Sequence, residues 1–110
     1  MQSINDLDSQ IQTLQDKADA QAAMAQQERD KADEAEGNDD ANAARAHRDA
    51  AARYDQGVLQ AQSQIENAQI KVKQDQKIIN ELNEKKSRLI QTHEQQLREI
   101  DLEIQRASGQ

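Results

Sequence analysis

Aliphatic and alanine residues recur at steps of three and four from the start of the chain: Ile4, Leu7, Ile11, Leu14 and Ala18, then more loosely Ala22, Ala25, Ala32 and Ala35. That spacing lines one face of a helix with a heptad-like seam. Ser3, with Asp6 three residues on, has the form of a capping box that opens this helix. The stripe stops at Glu36-Gly37-Asn38-Asp39-Asp40. Gly37 suits the left-handed position after a helix end. Asn38, Asp39 or Asp40 can accept from the first free N–H groups of a following helix. This is the only cluster of turn chemistry in the interior, so the pattern predicts a helix over 3–36, a turn over 37–40 and a second helix over 41–107.

The second stripe is Ala44, His47, Ala51, Tyr54, Val58, Ala61, Ile65, Ala68 and Val72, followed by Asp75, Ile79, Leu82, Lys86, Ile90, His93, Leu97, Ile100, Ile104 and Ala107. Between Leu82 and His93 the steps run four, four, three, which locally relaxes a left-handed supercoil. Gly57 lies inside this helix and reads as a tolerated defect or soft spot costing about 1 kcal/mol relative to Ala. Ser108-Gly109 reads as a stop.

Folding the first helix back on the second requires facing residue numbers to keep a constant total. A total of 76 sets Ile4 against Val72, Ile11 against Ile65, Ala18 against Val58, Ala22 against Tyr54, Ala25 against Ala51 and Ala32 against Ala44. Seam meets seam nearly throughout. The first helix is then exhausted near residue 72, while the second runs on for about 35 residues, ~50 Å at 1.5 Å per residue. That stretch holds the richest aliphatics of the chain. The expected fold is therefore all-α, a long antiparallel helical hairpin (coiled coil) with a C-terminal helical overhang, in one domain over 1–110. A rival three-helix bundle needs a further turn near Asn80–Ser87, built only from Asn80, Asn83 and charged residues.

Composition narrows the reading. Among 110 residues there is one Tyr, no Trp or Phe, no Pro and three Gly, with 32% charged residues. This suits long helices better than a thick globular core. Without cysteine there is neither disulfide nor thiolate metal site. No apolar run reaches the ~20 residues of a membrane span, and the N-terminal residues lack the pattern of a signal peptide, so a cytoplasmic location is expected. The net charge of −7 is uneven. Residues 1–57 hold six Lys/Arg against thirteen Asp/Glu, whereas residues 58–110 hold eight of each. With no clustered basic face, nucleic acid is not an expected partner.

Candidate chemistry is sparse. His47 and His93 are the only histidines and lie far apart on the seam; Asp49 and Glu94, near them in sequence, point off it, so no metal is expected. In the hairpin register His47 falls opposite Arg29, with Asp30 and Asp33 as further neighbours. The acidic tip, Asp33, Glu34, Glu36, Asp39 and Asp40, lies in a stretch, 28–40, with a net charge of −5. It reads either as a docking knob for a basic partner or, more simply, as a solvated tip. Its spacing is not that of a calcium loop. The Gln-rich stretch from Gln56 to Gln76 reads as a solvated helix face. No phosphate-binding Gly loop or preorganised catalytic set is present, so no enzyme activity, catalytic residue or cofactor is expected.

The tip segment Lys31-Ala32-Asp33-Glu34-Ala35-Glu36-Gly37-Asn38-Asp39-Asp40-Ala41-Asn42-Ala43-Ala44-Arg45 resembles the hairpin tip of the phage-shock-protein A family, ESCRT-III-like membrane-remodelling proteins of bacteria and plastids. The resemblance implies a long antiparallel hairpin and polymer assembly on membranes. It is confined to the tip motif. The spacing from Lys31-Ala32 to Gly37 is shorter than the family's, and Ala and Asn stand where the family carries leucines beside the acidic pair.

The leading expectation is a structural or assembly protein that self-associates, most simply as a dimer, through Ile79, Leu82, Ile90, Leu97, Ile100 and Ile104, and that binds protein partners. The alternatives are a membrane-stress protein of the phage-shock type, and a secretion chaperone or phage-encoded inhibitor acting by protein binding.

Overall fold

The computed structural model describes residues 2–109. Two helices account for almost all of them: α1, Ile4–Gly37, of 34 residues, and α2, Ala41–Ala107, of 67. No strand occurs among the described residues. The expected all-α helical hairpin is the observed one. α2 runs without a break through Asn80–Ser87, so the extra turn required by a three-helix bundle is absent.

α1 opens as its sequence dictates. The Ser3 hydroxyl accepts from the Asp6 N–H at 3.1 Å, and the Asp6 carboxylate accepts from the Ser3 N–H at 3.4 Å. This reciprocal pair satisfies two donors that a helix start leaves free. The helix ends differently from expectation. Gly37 is still helical, and the left-handed residue is Asp39, with φ 60°. The Asp40 N–H donates to the Ala35 carbonyl at 2.9 Å and the Asp39 N–H to the Glu36 carbonyl at 3.1 Å. These are the two bonds of a Schellman ending, whose left-handed position normally prefers glycine. Asp40 then caps α2, its carboxylate accepting from the Ala43 N–H at 3.1 Å.

The chain divides into two compact units, Met1–Lys73 and Gln74–Gln110. In the first, α1 packs on residues 41–73 of α2. Burial along α1 follows strict heptads: Leu7, Ala18, Ala25 and Ala32 are buried, and Ile4, Ile11, Leu14, Gln21, Glu28 and Ala35 are half-buried. The sequence stripe is thus corrected at one point, since Ala22 is exposed and Gln21 takes its place. On α2 the seam is as expected, with Ala44, Ala51, Ala61 and Ala68 buried and His47, Tyr54, Val58, Ile65 and Val72 half-buried. Among the described residues, seven of the eight buried apolar ones are alanine, Leu7 being the exception. Small side chains allow helix axes to approach closely, but each alanine brings little apolar area to the core.

Gly57 acquires a packing reason. A Cβ built there would lie 1.9 Å from Oε1 of Gln21, so the missing side chain is what lets the Gln21 amide lie across the seam. Gln21 Oε1 is itself buried without a hydrogen-bond partner. α2 passes through this position without interruption.

The second unit is the C-terminal part of α2 with its end. Every described residue from Gln76 to Gly109 is exposed. No helix among the described residues is long and apolar enough to cross a membrane.

The turn gives a test whose sign separates the two placements of the left-handed residue. A Cβ at Gly37 would meet nothing within 4 Å, and the residue is helical. Gly37→Ala is therefore expected to raise unfolding free energy by about 0.5–1 kcal/mol, read from the urea midpoint at fixed protein concentration. A loss of stability would place Gly37, not Asp39, in the left-handed region.

Candidate functional site

Two surfaces stand out, the acidic tip of the hairpin and the apolar face of the second unit. At the tip, α1 and α2 bring charges of both signs together. Asp33 and Glu34 are exposed. Glu36 accepts from the Arg48 guanidinium at 2.6 Å, Asp39 occupies the left-handed turn position, and Asp40 caps α2. A shallow depression of about 550 Å³ is lined by Glu36, Asp39, Arg45, Arg48 and Asp49 among others. Three of the five tip carboxylate residues therefore have intramolecular roles, and Arg45 and Arg48 stand among the acids.

One turn or two below the tip, Glu28 and His47 meet inside the seam, with His47 Nδ1 2.6 Å from Glu28 Oε2. An ionised carboxylate only accepts, so Nδ1 carries the proton in this contact. The expected neighbour of His47, Arg29, instead reaches Asp55 at 3.0 Å. The correction is a matter of one position: Glu28, not Arg29, meets His47, a facing total of 75 in place of 76. The Glu28 side chain is 14% exposed. The hydrogen bond from His47 holds its carboxyl below the ordinary 4.5, with Lys31 at 3.8 Å adding to the effect and burial opposing it. A polar pair within an apolar seam favours the single register in which its members meet. By contrast the Arg29–Asp55 pair is about half exposed on each side, and pairs of that kind contribute roughly 0–1 kcal/mol.

In the second unit, all six residues expected to carry self-association are exposed aliphatics: Ile79, Leu82, Ile90, Leu97, Ile100 and Ile104, from 41% for Ile79 to 60% for Ile104. Ile78, Leu89 and Leu102, which flank them, are exposed as well. Near the middle, a shallow apolar depression is formed by Leu89, Ile90 and His93 with Lys85, Lys86 and Glu94 at its edges. No group of three potential metal ligands converges among the described residues. Comparison of the chain with protein-family models, with curated proteins and with solved structures found no match.

The Glu28 contact has a definite pH signature. A carboxyl whose pKa is lowered on folding contributes stability that is fully present above its unfolded value and is lost as pH falls through the folded one. Urea midpoints measured from neutral pH down to below 4.5 are expected to show Glu28→Gln less stable than the wild type at the upper end, with the gap closing as the pH falls past 4.5. A gap that does not close below pH 4.5 would show that the ionised carboxylate is not its source.

Proposed function

We propose that this chain is a structural or assembly protein that self-associates through residues 76–107 of α2. The observation that supports this reading is the row of Ile79, Leu82, Ile90, Leu97, Ile100 and Ile104, all at coiled-coil spacing and all exposed to water. Monomeric proteins seldom leave a contiguous apolar stripe uncovered, and such stripes mark interaction surfaces. From Ile79 to Ile104 the stripe extends over nearly four heptads, the length at which a seam identifies a coiled coil.

The energetics favour a partner. Full burial of an aliphatic side chain is worth about 1.5–3 kcal/mol. These side chains are already about half covered by their own helix, so twelve of them in a dimer contribute roughly 9–18 kcal/mol. The cost of bringing two molecules together is of the order of 4–15 kcal/mol. Association is therefore within reach without any further contact. Polar residues between the stripes, and a hairpin whose own seam is mainly alanine, make the C-terminal seam the dominant adhesive surface of the chain.

Light scattering tests this directly. The wild type is expected at a multiple of the 12.4 kDa chain mass, and the double variant Ile79→Asp, Leu97→Asp at the chain mass itself. Circular dichroism of the variant checks that its hairpin remains helical. A wild type that is monomeric at concentrations near 100 μM (about 5.5 kcal/mol of association on the standard scale) would end the proposal.

A further inference from the structure

We infer that the occupant of the exposed C-terminal face is a second copy of this chain running antiparallel to the first, about a two-fold axis near Gln91–Thr92. The inference rests on the self-association reading and specifies its partner and orientation.

The seam of residues 76–107 is close to a palindrome. Turned end for end about the point between Gln91 and Thr92, Ile79 of one copy faces Ile104 of the second, Leu82 comes within one residue of Ile100, Lys86 faces Leu97 and Ile90 faces His93. Each layer then holds at least one exposed aliphatic, and neither polar seam residue meets its own kind. Lys86 can lay its alkyl stem along Leu97 and send its ammonium group outward. Glu94 and Asp101, three residues before and four after Leu97, lie on the same helix face to receive it. In a parallel, in-register pair Lys86 would face Lys86 and His93 would face His93. Two ammonium groups in one apolar layer repel each other and lose hydration.

The charge of the whole segment, Lys86 included, points the same way. Residues 76–91 hold four bases, Lys77, Lys85, Lys86 and Arg88, against Glu81 and Glu84, a net of +2. Residues 92–107 hold four acids, Glu94, Glu99, Asp101 and Glu103, against Arg98 and Arg106, a net of −2. Antiparallel pairing sets each basic half against an acidic half, and parallel pairing sets like against like. Such patterns select orientation in coiled coils. The apolar depression between Leu89, Ile90 and His93 falls at the two-fold centre, where it would receive Ile90 and His93 of the second copy.

The chain has no cysteine, so a single spin label can be placed by Lys77→Cys, an exposed position off the seam. In the antiparallel dimer Lys77 lies level with Arg106 of the second copy. The label-to-label distance by pulsed dipolar spectroscopy is then expected near ~44 Å, from a rise of 1.5 Å per residue. A distance within about 20 Å, little more than two helix diameters, would overturn the antiparallel arrangement while leaving self-association intact. A labelled protein with monomeric mass and no dipolar signal would overturn both. An elevated salt concentration should also weaken the antiparallel dimer, because its halves attract, and a dimer strengthened by salt would contradict the charge pairing.

Discussion

A residue in a heptad seam is stable only when another helix covers it, and α1, at 34 residues, is about half as long as α2, at 67. Everything else follows from that inequality. The part of α2 that faces α1 is lined mainly by alanine, which needs only a close neighbour and brings little area of its own. The part from Gln76 onward carries isoleucine and leucine at the same periodicity, and all of these side chains lie open to water. Apolar area is thus richest where the chain supplies no cover, the reverse of what a self-sufficient hairpin would require.

A seam of alanines is also nearly featureless, and layers of identical residues do not by themselves tell one register from its neighbours. Specificity has to come from elsewhere. The turn sets the starting point, with Asp40 closing α1 through Ala35 and opening α2 through Ala43. Glu28 and His47 then mark one layer that a slipped register would break, leaving a half-buried carboxylate without its partner. Gly57 and Gln21 meet at another, where the amide lies in the space a side chain at 57 would take. The hairpin combines weak, close packing with a few positions at which only one alignment is tolerated.

Much of this architecture was legible in the residues. The capping box of Ser3 and Asp6, the turn at 37–40, the bounds of α2 and its alternating seam from Ala44 to Val72 all follow from periodicity and turn chemistry. The departures share a physical origin. A purely hydrophobic stripe passes through Ala22, because alanine is apolar and glutamine is not, yet strict heptads from Ala18 lead to Gln21 and then to Glu28. Polar side chains inside a seam are invisible to a hydrophobic pattern unless their partners across the interface are also considered. Counting heptads strictly and asking what faces Glu28 would have found His47. The left-handed residue was assigned to Gly37 on preference, whereas the backbone bonds of the Schellman ending place it two residues later, at an aspartate. The exposure of Ile79, Leu82, Ile90, Leu97, Ile100 and Ile104 was legible because it depends only on length.

Residues 41–73 of α2 are covered by α1, whereas under the proposed self-association residues 76–107 owe their order to a second copy. Amide hydrogen exchange across a dilution series separates these sources, since protection that depends on association must fall with concentration. Protection of 76–107 is expected to fall on dilution while that of Ala18–Ala32 and Ala44–Ala61 stays constant. Protection of 76–107 that does not change with concentration, or that is absent at every concentration, would contradict it.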